Sequence, residues 1–403
     1  MVGLPSQTCP RVRHIISGTF NTARLHLLAF DTLTKTLVLT RSIDAQGPHQ
    51  FLALGVGSDS SDLTACSVLR RTVYATTWAT PPSLSAWAVV GLDDQSGASI
   101  EAAHDVDLQW INTVPITATS SYVHVQPPPF LATTAPSFGR TPGTARFLYS
   151  AGGPTGELHR IDPNTGALVN GEVQELCFLE GGPEALKDAD KGRKALRYGA
   201  HSIDVSTDNL VFVADLGRNA ILTYLRDDVE GSLHLLSETK SPRSGDGPRH
   251  VVPSADGRWA FSVTEHTSSV HVFEIVDKRK GELQYRLSLD LLTPATPGSS
   301  KDASEEHLLF RWNTPTSGGK ANAIEWAPRY GLEDSSVGSS SANFRGEDQD
   351  WMVLTDDANG GIFVLQWNGK DLVEVARTQL PGKGDPKLGE GAHEGASHAI
   401  WLT

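Results

Sequence analysis

Sulfur is scarce in this chain: its 403 residues include only three cysteines (Cys9, Cys66 and Cys177) and two methionines. An odd, widely spaced trio of cysteines offers no disulfide framework and no zinc-site spacing, and it suits a reduced cytosolic setting. No run of about 18 apolar residues occurs, so a membrane-spanning helix is excluded. The N-terminus lacks a basic region followed by an apolar core, so no secretion signal is expected. Positive charge is also short: 34 Lys and Arg against 47 Asp and Glu leave a net charge of −13. That balance argues against general nucleic-acid binding, and an anionic ligand would need a local cluster of Arg, Lys and His. A Gly-x-Ser-x-Gly elbow and a phosphate-binding glycine loop are both missing.

What is present is repetition. His201-Ser-Ile-Asp-Val-Ser-Thr-Asp-Asn-Leu-Val-Phe-Val-Ala-Asp is followed 48 residues later by Arg249-His-Val-Val-Pro-Ser-Ala-Asp-Gly-Arg-Trp-Ala-Phe-Ser-Val. Each copy holds an alternating strand, a polar turn and a second apolar strand, and further strands follow. A period of about 40 to 50 residues with several short strands per unit predicts the blades of a β-propeller. The chain therefore reads as all-β, one propeller domain of four-stranded blades over residues 1–403.

The blades are expected at about 13–50, 51–112, 117–180, 199–240, 247–292 and 314–380. The final strand-like piece, 397–402, is expected inside the first blade, closing the ring. Phe212 and Phe261 lie 49 apart, whereas the next equivalent, Val353, lies 92 further on. The stretch at about 276–313 holds only scraps of strand, Leu283–Leu292 and Leu308–Trp312, so one blade is expected to be degenerate or truncated, most severely over 293–313. Residues 329–350, rich in Gly, Ser, Asp and Glu, read as a flexible insert. Lys187 to Arg197 reads as a charged surface loop or a short helical turn.

Polar residues at strand starts and blade-top loops are where a propeller lines its channel. By this placement the candidates are His49, His201, Arg249, Glu265, Asn322, Asp356, Asp357 and His398. A cation, a titratable imidazole and a carboxylate from neighbouring blades form a set able to bind an anion and move a proton.

Several runs also carry a family resemblance. Thr314-Pro-Thr-Ser-Gly-Gly-Lys-Ala-Asn-Ala, Trp351-Met-Val-Leu-Thr-Asp-Asp, Gly199-Ala-His201, Gly247-Pro-Arg249 and His398-Ala-Ile-Trp resemble the fungal carboxy-cis,cis-muconate cyclases. Those enzymes belong to the lactonase-type seven-bladed propellers, which also include 6-phosphogluconolactonases. The resemblance implies seven blades and a cofactor-free cycloisomerase of the β-ketoadipate pathway, acting on a small di- or tricarboxylate anion, 3-carboxy-cis,cis-muconate. It implies His201, Arg249 and Glu265 as catalytic residues, with His201 favoured as the acid/base and Glu265 as its partner. His49, Asn322, Lys320, Asp356 and His398 are expected to bind substrate. The family's second arginine falls in the degenerate blade and has no counterpart, leaving Arg218, Arg311 and Lys320 as candidate replacements. The resemblance also hints at a homo-oligomer, while composition and charge lead to the expectation of no membrane or nucleic-acid partner. Lactone hydrolysis and a non-catalytic binding platform are the alternatives on the same scaffold.

Overall fold

The computed structural model describes residues 11–58, 69–92, 100, 102–125, 147–206, 208–227, 229–254, 256–290, 321–326, 350–356, 360–367, 372–388 and 392–402. Apart from short 3-10 turns, the described elements are strands, and they form six four-stranded antiparallel sheets. In chain order the first sheet contributes β1 (Val12–Thr19), β2 (Arg24–Asp31) and β3 (Thr36–Asp44). The second contains β4 (Leu52–Ser58), β5 (Leu69–Thr77), β6 (Ser83–Val90) and β7 (Asp107–Pro115). The third is built from β8 (Tyr122–Val125), β9 (Phe147–Gly152), β10 (Thr155–Arg160) and β11 (Gln174–Cys177). The fourth has β12 (Ala200–Val205), β13 (Leu210–Asp215), β14 (Ala220–Arg226) and β15 (Leu233–Lys240). The fifth has β16 (Pro248–Pro253), β17 (Trp259–Thr264), β18 (Ser269–Asp277) and β19 (Glu282–Asp290). The last has β20 (Ala321–Trp326), β21 (Asp350–Asp356), β22 (Gly361–Trp367) and β23 (Leu372–Gln379).

The closing strand β24 (Ala396–Trp401) pairs antiparallel with β1 and completes the first sheet in the order β24-β1-β2-β3. Every other sheet is an up-and-down run of consecutive strands, the repeat unit of a propeller.

The sequence pattern at 276–313 is corrected by the register. Ser269–Asp277 and Glu282–Asp290 are the third and fourth strands of a complete fifth sheet, paired from Ser269↔Asp290 to Asp277↔Glu282. The rest of the stretch expected to be degenerate, 291–313, lies outside the described residues, as do residues 329–349 of the expected insert. Lys187–Arg197 is more ordered than a solvated loop: Ala195 and Leu196 are buried in a 3-10 turn, and the Arg193 guanidinium stands 3.9 Å above the Trp78 ring.

The chain divides into two compact units. Unit one comprises Met1–His49, Val89–Gln109 and Asn313–Thr403; unit two comprises Gln50–Ala88 and Trp110–Trp312. In unit one the first and last sheets share a core of Ile15, Leu28, Phe30, Trp351, Val353, Ile362, Val364 and Trp401. Phe30 and Trp351 meet edge to face at 5.1 Å, an arrangement their ring quadrupoles favour.

In unit two the period of two explains the stacking. On β13, Val211 and Val213 face the third sheet, whereas Leu210, Phe212 and Ala214 face the fifth. Both faces of that strand are apolar, and both are covered. The same position on β17 is different: Phe212 is fully buried, while Phe261 is 40% exposed.

The turns repeat as faithfully as the strands. Asn209 and Gly257 occupy matching positions and both adopt left-handed backbone, φ 64° and 65°. Asn and Gly tolerate that region better than other residues. The Ser206 hydroxyl accepts the Leu210 N–H at 3.1 Å, and the Ser254 hydroxyl accepts the Trp259 N–H at 2.9 Å.

Candidate functional site

In four of the sheets a candidate residue sits at a register shift near the start of a strand. In the fourth sheet Ala200 faces Asp215 and Ser202 faces Ala214, so His201 is an extra residue in a β-bulge. In the fifth, Pro248 faces Thr264 and His250 faces Val263, so Arg249 is the extra residue. The last sheet repeats the pattern with Asn322, between Ala321↔Asp356 and Ala323↔Thr355. In the first sheet Ser397 and His398 together oppose Gly18, between Thr19↔Ala396 and Ser17↔Ala399. A bulge bends the strand and re-aims one side chain, a device that recurs beside active sites.

Arg249 forms an ion pair with Glu265, and both side chains are about one-third exposed, 34% and 35%. Glu265 is held in the turn after β17, where its N–H donates to the Gly247 carbonyl at 2.8 Å. Gly247 has φ 64°, and a Cβ there would run into the His266 imidazole. The expected pairing of Glu265 with His201 is thus replaced by a pairing with Arg249.

His201 is only 3% exposed, and its Nδ1 is buried without a hydrogen-bond partner. Its carbonyl accepts the Ser121 hydroxyl at 2.8 Å. Burial first, then the charges of Arg249 and His250, push the imidazole well below its ordinary pKa of 6.5. It is a neutral group at pH 7.

Sequence reasoning missed the rings around it. His250 lies 5.5 Å from His201, 5.3 Å from Tyr122 and 6.1 Å from Phe51 between centroids. Phe51 and Tyr122 stack at 3.9 Å. Residues from the leading segments of four successive sheets therefore converge at one point in unit two. Behind them, Asp204 Oδ1 accepts the Tyr122 hydroxyl at 3.2 Å and lies 3.1 Å from His124 Nδ1. His250 directly follows Arg249, and Tyr122 opens the Tyr-Val-His-Val strand. Both were visible signals.

His49, Asp356 and His398 are buried in unit one, where the His49 carbonyl accepts the Ser397 hydroxyl at 2.5 Å. Lys320, Asp357 and Arg311 fall outside the described residues. Arg218 is committed to structural bonds, with the Phe178 carbonyl at 3.0 Å and Glu238 at 3.1 Å.

Two acid–His–Ser sets, each with a buried acid and a buried His, resemble a catalytic triad in composition. His271 joins Asp246 at 2.9 Å and Ser288 at 2.6 Å; His26 joins Glu394 at 2.9 Å and Ser42 at 2.9 Å. Both sets sit on the third and fourth strands of a sheet, with the acid supplied from the loop before the first strand. Both histidines are 0% exposed. They pin each sheet's strands to its entry loop. Among the described residues no group of three or more His, Cys, Asp or Glu converges as metal ligands would.

With this geometry in place, comparison with known proteins is informative. A family model described as lactonase, 7-bladed beta-propeller, matches residues 140–308. The chain is related to the lactonase-type propellers. It is 27% identical to muconate cycloisomerase 1 of Cutaneotrichosporon cutaneum over 403 aligned residues, covering 91% of this chain and 93% of that one. It is 24% identical over 221 residues to the carboxy-cis,cis-muconate cyclase of Neurospora crassa, covering 44% of this chain and 55% of that protein. Among solved structures, the gluconolactonase of Pseudomonas aeruginosa superposes with a TM-score of 0.51 at 16% identity, covering 97% of this chain and 99% of that one. That last likeness speaks for the lactonase-type fold alone.

Proposed function

We propose that this lactonase-type propeller catalyses an intramolecular cyclisation, the addition of a carboxylate of 3-carboxy-cis,cis-muconate to a carbon–carbon double bond to give a carboxymuconolactone. The observation that carries this reading is the bulge-aimed pair of His201 and Arg249 at matching positions of adjacent sheets. Arg249 offers a planar fork of donors, enough to hold a substrate carboxylate while retaining Glu265. As the ring closes, charge moves onto the remaining unsaturated acid, and a guanidinium fixed beside it lowers that barrier. Glu265 keeps the guanidinium oriented. His201, neutral and buried, suits hydrogen bonding to substrate better than the delivery of a proton. Relatives named for muconate cyclisation support the same substrate class.

Lactone hydrolysis is the second reading, favoured by the family model's description. It would require the same site to activate water. The two part in one assay: purified protein is mixed with 3-carboxy-cis,cis-muconate, and the ultraviolet absorbance of the conjugated diene is followed. Cyclisation consumes the diene. A folded protein that leaves it untouched but opens 6-phosphogluconolactone would overturn the first reading in favour of the second.

A further inference from the structure

We propose that His250 is the catalytic residue that delivers the proton to substrate carbon, an inference that rests on the cyclisation reading above. The histidine expected to do this, His201, is buried with an unpartnered Nδ1. His250 is half-buried, its ring stands 5.5 Å from that of His201, and it follows Arg249 directly in β16. An imidazole in that position reaches the same substrate as the guanidinium and can recover its proton from solvent. Tyr122 and Phe51 flank it at 5.3 and 6.1 Å, which limits the directions the ring can take.

Arg249 and His250 both act on the His201 imidazole, Glu265 is paired with Arg249, and the hydroxyl of the neighbouring Tyr122 is engaged with Asp204. Glu265 offsets the second positive charge that a protonated His250 adds beside Arg249. His201, held neutral, adds none.

The step balances without a co-reactant. A carboxylate oxygen forms a C–O bond to an alkene carbon as the π bond breaks, and the displaced electron pair moves to the neighbouring carbon. That carbon forms a C–H bond as the N–H bond of the His250 imidazolium breaks. Water then reprotonates His250. Overall the substrate anion takes up one proton from solvent, and the lactone is an isomer of the substrate acid.

The test compares wild type, His250→Gln, His250→Asn and His201→Gln on 3-carboxy-cis,cis-muconate, with and without added imidazole, each checked for folding by circular dichroism. The expected result is a kcat about 10²–10⁴-fold lower in both His250 variants, with KM little changed and part of the rate restored by imidazole. His201→Gln should show no such rescue. A His250→Gln enzyme with wild-type kcat, or one whose loss appears in KM and ignores imidazole, overturns the assignment while the cyclisation reading stands. A wild-type protein that leaves the diene intact overturns both.

Discussion

His201 and Arg249 are the extra residues of the same β-bulge in successive sheets, each set between the first and second register pairs of its opening strand. The repeat therefore transmits more than a strand pattern. It reproduces a point where the backbone bends and one side chain leaves the pleat, and sequence variation at that point decides what the site can do.

Removing the guanidinium should expose its role first. Arg249→Ala is expected to lower kcat/KM by about 10²-fold or more, the loss typical of a preorganised electrostatic contact. Arg249→Lys should recover only part, because an ammonium lacks the planar fork. Steady-state kinetics on 3-carboxy-cis,cis-muconate decide it. An Ala variant with unchanged kcat/KM would place the site elsewhere.

The pH profile should carry the signature of a desolvated histidine. His201 sits well below 6.5 because burial and the Arg249 charge disfavour its cation. Activity that needs neutral His201 should therefore rise with pH on the acid side of 6.5 and be complete by neutrality. In His201→Asn that acid limb should vanish from kcat/KM, while any limb at neutral pH remains.

Asp215 provides a stability test. Burial chiefly, with Glu238 adding to it, pushes its carboxyl up to about 6 despite the Arg218 charge. Between the unfolded value of 3.8 and about 6 the folded chain holds a proton that the unfolded chain releases. Stability from this group is thus fully present below 3.8 and is lost as pH rises through about 6. Urea unfolding of wild type and Asp215→Asn across this range should show the variant gaining relative stability as pH rises. A constant difference would reject the assignment.

The two matched phenylalanines should respond unequally. Phe212→Ala opens a fully buried site between two sheets and should cost about 3–5 kcal/mol. Phe261→Ala, at 40% exposure, should stay within about 1 kcal/mol. Denaturant midpoints measured side by side provide the comparison.

The buried pins should matter for folding and not for chemistry. His271→Ala leaves Asp246 short of a partner at 0% exposure, a loss of about 1–3 kcal/mol. Its melting temperature should drop while kcat remains that of the wild type. A selective loss of kcat would instead mark the Asp246–His271–Ser288 set as catalytic.

Much of this could be read along the chain. The offset of 48 residues aligned His201 with Arg249, and it also aligned Asn209 with Gly257 and Ser206 with Ser254, while Phe212 and Phe261 match at an offset of 49. The closing strand was legible because Ser397 to Leu402 alternates without a unit of its own, and it pairs with β1. The piece Leu283–Leu292 stood out only as a scrap of strand because Glu282–Asp290 is rich in polar and charged residues between its apolar positions. Hydrogen-bond register, not hydropathy, marks it as the fourth strand of that sheet.

The amino-acid order by itself determined the all-β class, the repeat and the positions at which chemistry recurs, because strand periodicity and turn chemistry are local properties. Which of those positions act together was decided only in three dimensions. Phe51, Tyr122, His201 and His250 are far apart in sequence and meet because four sheets each present the leading end of a strand to one place. The same tertiary packing gave Glu265 to Arg249 and took water from His201. Burial and proximity set the charge state of each group, and neither is a property of a residue's neighbours along the chain.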